Sequence, residues 1–228
     1  PGILKSKEIS VLYMIIAVSI IITIVNPVFL RIDNIIDLFR SNTVLGILSC
    51  GMLLVILTGG IDISIAAITA ASACIVGTFL ISASSNIVLA ALVGIASGAL
   101  IGLINGLLIA YVSIPPIVST LGMLNVVNGI VKFATNGTWI TDIPQNFIDF
   151  GQFYLFETKV EGITSKVGIP VQVLILIGIA LITWVILKYT MFGRGVYAFG
   201  GSESAAQRIG FNNSRTQLLV YSYMGAIC

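Results

Sequence analysis

The sequence predicts an all-α fold: a polytopic transmembrane helical bundle of about six full spans and a truncated seventh, forming one membrane domain over residues 1–228. Three observations carry this. Apolar residues make up 57% of the chain and charged residues only 9%, against about a quarter charged in soluble proteins, so ionic groups are too few to clothe a globule in water. Long stretches carry no charge, each near the roughly 20 residues that cross a bilayer. Clusters of Gly, Pro, Ser and Asn separate these stretches, as turns between helices require.

The same composition excludes other classes. Disorder needs low hydrophobicity with high net charge, and a nucleic-acid surface needs a basic face; 11 Lys and Arg against 9 Asp and Glu leave only +2. Histidine is absent, which removes the commonest metal ligand and the usual general base near neutral pH. No nucleophile–base pair and no paired intramembrane carboxylates are visible, so no catalytic residue and no metal ligand is assigned. Cys50, Cys74 and Cys228 stand singly inside apolar runs and read as small packing hydrophobes.

Along the chain, Ile9 to Leu30 is free of charge behind Lys5 and Lys7. That is longer than the roughly 7–15 apolar residues of a cleaved signal peptide, so a first helix is predicted near Ile9–Val25, ended by Asn26-Pro27. Residues 31–40 carry Arg31, Asp33, Asp37 and Arg40 among Ile32, Ile35, Ile36, Leu38 and Phe39, a pattern that suits a short amphipathic helix at the interface. From Ser41 to Val131 the only charge is Asp62. Gly59-Gly60, Ser82–Asn86 and Ser113–Pro116 divide that stretch into helices near 42–58, 63–82, 87–111 and 115–135, the last opened by Pro115-Pro116, whose missing N–H groups are harmless in a first turn. Val167 to Leu187 gives a sixth helix near 169–189. A seventh starts near Thr216 and stops at Cys228; with the opening Pro1-Gly2, the chain reads as a fragment lacking its C-terminal part.

Lys and Arg set the orientation. A cytoplasmic N-terminus places Lys5, Lys7, Lys188, Arg194, Arg208 and Arg215 inside, and Arg31, Arg40, Lys132, Lys159 and Lys166 outside. The acids divide as Asp33, Asp37, Asp142, Asp149, Glu157 and Glu161 outside and two inside, but they count little. Residues 191–215 are then a cytoplasmic loop and 136–167 an outer segment rich in rings (Trp139, Phe147, Phe150, Phe153, Tyr154 and Phe156). Such rings prefer the headgroup level, so the segment is expected to lie on the membrane or to meet a partner.

Within the membrane, Gly94, Gly98, Gly102 and Gly106 form a ladder at spacing four. Small residues permit the close backbone approach on which helix association in lipid depends. Packing within the subunit or onto a second one is the favoured reading, a direct place in a permeation path the alternative. Asp62 follows Gly59-Gly60. A carboxylate at membrane depth costs at least ~2.5 kcal/mol, so it needs a partner or a task. Capping the third helix is favoured, with Gly59-Gly60 as the turn before it; proton or cation coupling is the alternative, weakened by the lack of an intramembrane basic partner. Asn105, Thr120, Asn125 and Asn128, with Ser119, are the other polar groups at depth. Uncharged amides suit interhelical hydrogen bonds or a path for a neutral polyol, and Asn125 and Asn128 share a helical face.

In the loop, Gly200-Gly201 offers a turn, Ser202 an N-cap with Glu203 in the first turn, and Gly210 a stop. Ala205, Ala206 and Ile209 would give this short helix a small-residue face that can enter a groove of another protein; a plain surface loop is the other reading.

Four stretches resemble, in order, the permease subunit of bacterial ATP-binding-cassette importers of the ribose, galactose, xylose and autoinducer-2 class: GMLLVILTGGIDIS (51–64), GLINGLLIAYVSIPPIVSTLGML (102–124), VVNGIV (126–131) and GRGVYAFGGSESAAQRIGFNNSR (193–215). The chain departs from the family pattern at Ile65-Ala66, Val118-Ser119, Asn128 and Ser202. The resemblance implies a paired transmembrane pore with a second permease subunit, in lipid, in the bacterial inner membrane. It also implies a sugar-binding protein outside, and a cytoplasmic ATPase subunit engaged by a coupling helix comprising Ser202, Glu203, Ala205, Ala206, Arg208 and Gly210. No phosphate-binding G-x-x-x-x-G-K-[ST] motif occurs, so ATP and Mg are expected on the partner and no cofactor on this chain. The expected function is inward movement of a neutral monosaccharide-like solute. Nucleoside import is the near rival, and an ion-coupled secondary transporter the rival from another class.

Overall fold

The computed structural model describes residues 7–158 and 167–228. Helix α1 spans Lys7–Val25, followed by a single 3-10 turn at Pro27–Leu30. The long helices are α2 (Ile32–Leu57), α3 (Ile65–Ser82), α4 (Ile87–Ala110) and α5 (Pro116–Thr135). A short α6 (Gln145–Gly151) and the antiparallel strands β1 (Tyr154–Thr158) and β2 (Val167–Pro170) lead to α7 (Val171–Tyr189). The chain then forms α8 (Met191–Gly201), α9 (Glu203–Arg208) and α10 (Asn213–Ile227).

The ends are where local chemistry puts them. Asn86 opens α4 by accepting from the amides of Val88 (2.9 Å) and Leu89 (3.2 Å), which satisfies donors that have no partner inside the helix. Pro116 starts α5, and Asn136 ends it in the left-handed conformation at φ 51°. Thr190, Ser202 and Asn212 cap α8, α9 and α10 through their side-chain oxygens.

Among the described residues, five helices are long and apolar enough to cross a membrane: α2, α3, α4, α5 and α7. The surface they present is that of a multi-pass membrane protein. Ile56, Leu45, Leu92, Leu100, Ile130 and Ile182 are more than half exposed, in numbers that water would penalise and lipid does not. The predicted first span is α1, whose apolar part among the described residues, Val11–Val25, is shorter than these five.

Two expectations change. The separate helix at 31–40 does not exist as such; those residues are the first turns of α2, which runs unbroken to Leu57. Asp33 pairs with Arg31 at 2.6 Å in the first turn, where the helix dipole favours an acid, so charge there continues the helix instead of ending it. The 191–201 stretch, expected as loop, is the helix α8. Lys5, Lys159, Glu161 and Lys166, used in the charge count, lie outside the described residues.

The core has two parts. Leu54, Val55, Ile109, Leu187, Val196, Val220, Tyr221 and Met224 join α2, α4, α7, α8 and α10; Ala67, Ala71, Met123 and Val127 join α3 to α5. The aromatic segment before α7 is tied to these helices. Asn146 donates to the Ser85 carbonyl at 2.7 Å, Gln172 to the Gly151 carbonyl at 2.5 Å, and Arg40 to the Tyr154 hydroxyl at 3.0 Å. Arg40 also lies over the Tyr154 ring, 5.7 Å from its centroid. Trp139 and Phe156 remain largely exposed.

Candidate functional site

The glycine ladder is an internal seam. A Cβ on Gly98 would strike the Gly225 carbonyl, one on Gly102 the Tyr221 carbonyl, and one on Gly106 the Leu218 carbonyl oxygen at 2.9 Å. Three rungs therefore bring α4 against the backbone of α10. The fourth, Gly94, faces α3 through a Val76 methyl at 3.0 Å.

Beside this seam, residues 58–64 join α2 to α3 without helix. Gly59 at φ 74° ends α2, and the Gly60 amide returns to the Val55 carbonyl at 3.0 Å, the closure that a left-handed glycine allows. Gly60 has no room for a side chain, since a Cβ would lie 2.5 Å from the Tyr221 hydroxyl. Asp62 is only 3% exposed. Its Oδ1 accepts from the Ser64 amide at 2.8 Å and the Ser64 hydroxyl at 2.6 Å. Ser64 Oγ in turn accepts from Asn105 Nδ2 of α4 at 2.9 Å. On the other side, Thr120 of α5 donates to the Pro116 carbonyl at 2.8 Å and sits 3.5 Å from the Ile61 carbonyl.

The helix-capping role expected of Asp62 is corrected by this geometry. Ser64 occupies the N-cap of α3, and Asp62, two residues earlier, grips Ser64 and not the first-turn amides of the helix. The carboxylate is held by a hydroxyl and an amide where a basic partner would otherwise be needed. That arrangement holds the loop in one shape, because a polar network away from water is costly to break once formed. Asp62 Oδ2, Asn105 Oδ1 and the Tyr221 hydroxyl have no hydrogen-bond partner among the described residues.

The four candidate path residues do not share a surface. Asn105 and Thr120 are fully buried within the chain. Asn125 and Asn128 are exposed on α5, beside Gly122 and Gly129, where an added Cβ would meet nothing within 4 Å. Asn125 Nδ2 donates to the Leu121 carbonyl at 2.9 Å.

Helices α8 and α9 form the second unit. Ser202 Oγ accepts from the Ala205 amide at 3.3 Å, Ala206 is buried beneath, and Glu203, Ala205, Arg208 and Gly210 face outward. Gly210 is at φ 94°, and Asn213 donates to the Glu203 carbonyl at 2.8 Å, so the turn into α10 is closed at both ends. Glycine accounts for how α8 is held: Gly193 lies against the Leu187 carbonyl, Gly195 against Phe211, and Gly200 against the Leu57 carbonyl at the end of α2. The expectation of a turn at Gly200-Gly201 is corrected accordingly. Ser64 and Tyr221 are the site residues that sequence reasoning missed, and Gly200 was given a turn instead of a helix contact. Ser64 stood within the quoted GGIDIS stretch, but nothing local distinguished Tyr221.

A multi-span helical protein with a glycine seam, a buried polar loop and a short exposed helix has the form of a membrane permease. The chain matches the family described as the permease component of the branched-chain amino acid transport system over residues 34–228, and it belongs to that family. It is 38% identical over 210 residues to the ribose import permease protein RbsC of Bacillus subtilis (strain 168), covering 91% of this chain and 62% of that protein. It is 30% identical over 226 residues to the ribose import permease protein RbsC of Escherichia coli (strain K12), covering 99% and 67%. With the autoinducer 2 import system permease protein LsrC of Enterobacter sp. (strain 638) it shares 33% over 225 residues, covering 99% and 62%. The chain thus spans 62% to 67% of the length of these relatives. No solved structure matches it.

Proposed function

We propose that the chain is the transmembrane permease component of an ATP-binding-cassette importer for a neutral monosaccharide-like solute. The exposed α9, capped by Ser202 and seated on Ala206, is the observation that carries the reading: Glu203, Ala205 and Arg208 stand outward on a short helix held by packed helices, which suits insertion into a groove of an ATPase subunit. The similarity to ribose and autoinducer 2 import permeases supports the cargo class, and the scarcity of fixed charge along the spans favours an uncharged solute. ATP and Mg belong to that partner, since this chain lacks a phosphate-binding loop. An extracytoplasmic binding protein delivers the solute, and a second permease subunit completes the pore. Asn125 and Asn128 on the open face of α5 are the path residues this reading favours. The protein sits in the bacterial inner membrane with α8 and α9 on the cytoplasmic side.

Vesicles carrying the full-length permease with its ATPase partner and binding protein provide the test. Uptake of labelled ribose that requires ATP and binding protein supports the reading; competition by nucleosides but not by pentoses moves the cargo to nucleosides. Uptake that ignores ATP depletion and collapses with an uncoupler overturns it in favour of an ion-coupled transporter.

A further inference from the structure

We propose that Asn105 is a positioning residue that couples the α8–α9 unit to the α4–α10 seam through Ser64, a role that rests on the importer reading and refines it. Gly200 lies against the Leu57 carbonyl with no space for a Cβ, so the end of α8 bears directly on the end of α2. Leu57 leads into residues 58–64, whose exit is fixed by the Asp62–Ser64–Asn105 chain of hydrogen bonds at 2.6 and 2.9 Å. Asn105 stands on α4 between Gly102 and Gly106, the two rungs pressed on the backbone of α10 at Tyr221 and Leu218. Tyr221 closes the circuit, because its hydroxyl rests on Gly60 in the same loop.

Each link is a close packing contact against a glycine or a buried hydrogen bond, so a displacement of α8 has little room to dissipate before it reaches α4 and α10. Closely packed interiors respond to such a push by moving between discrete arrangements, not by gradual yielding. The Ser64–Asn105 bond is the one link in the circuit made by side chains alone across 41 residues of sequence. Deleting it removes the hydrogen bond between loop and seam while leaving the Gly200–Leu57 and Tyr221–Gly60 contacts in place.

The experiment uses the assembled full-length importer in vesicles, with Ser64→Ala, Asn105→Leu and the double variant. Basal ATPase activity, stimulation by loaded binding protein, the KM for uptake, and solute moved per ATP are read for each. Each single variant is expected to keep assembly, basal ATPase and KM, while stimulation and solute per ATP fall by about tenfold; the double variant is expected to match the singles within about twofold, since all three lose the same bond. Additive losses, or undiminished stimulation in the singles, overturn the proposal. So does failure of Ser64→Ala to assemble, because the bond is then needed for the fold and not for transmission. Absence of any stimulation in the wild-type importer is a separate result that overturns the importer reading itself.

Discussion

Gly98 and Gly225 face each other across the α4–α10 seam, each with the other's carbonyl oxygen where its own side chain would be. The reciprocity means that neither position tolerates even a methyl without the helices moving apart. In lipid, where the hydrophobic effect does little to hold helices together, that separation removes the main source of attachment for α10.

Substitution along the seam should therefore be graded by what stands opposite. Gly98→Ala and Gly102→Ala meet backbone and are expected to cost about 1–3 kcal/mol as overpacking. Gly94→Ala meets only the Val76 methyl at 3.0 Å, which a side-chain shift relieves, and is expected to be near neutral. Thermal unfolding of the three variants in the same detergent, with Gly94→Ala as internal control, checks the order.

Gly59 and Gly60 are adjacent but sensitive for different reasons. Gly59→Ala places a side chain at φ 74° in open space and should cost about 1–2 kcal/mol of backbone strain, whatever its neighbours. Gly60→Ala instead collides with the Tyr221 hydroxyl, so Tyr221→Phe should rescue Gly60→Ala and leave Gly59→Ala unchanged. Tyr221→Phe alone should be neutral or mildly stabilising, because it removes a buried hydroxyl that has no partner among the described residues. A double-mutant cycle in unfolding temperature reads both statements.

For α9, Glu203→Lys reverses the charge at the helix start, and Gly210→Asp puts a side chain at φ 94°. Both positions are exposed, so the membrane fold should survive while stimulation of the ATPase by loaded binding protein is lost. Stimulation that persists in both variants, in an importer that gel filtration shows to be assembled, would remove α9 as the coupling helix. A cysteine placed at Ser204 should react with an impermeant reagent in inside-out vesicles and not in intact cells.

Asn125→Leu and Asn128→Leu alter an open face and should change stability by no more than about 0.5 kcal/mol, as exposed substitutions usually do. If these amides serve the solute, uptake by the double variant falls several-fold at unchanged unfolding temperature. Unchanged uptake would assign that face to subunit packing or lipid.

The amino-acid sequence alone determined the class of fold, the positions of the long helices α3, α4, α5 and α7 and the end of α2, because charge-free length and Gly, Pro or Asn punctuation are local properties that hydration and capping enforce. It also marked the Ser202-capped helix and the glycine spacing of α4, both written in short stretches of chain. What α4 packs against, whether Asp62 caps a helix or grips Ser64, and that Gly193, Gly195 and Gly200 belong to a helix were decided only in three dimensions. A glycine has the same local preferences in a turn and at a tight crossing, and a buried amide looks the same in sequence as an exposed one. Only the approach of Gly225 to Gly98, of Leu57 to Gly200 and of Ser64 to Asn105 separates the two, and those approaches are made by residues far apart along the chain.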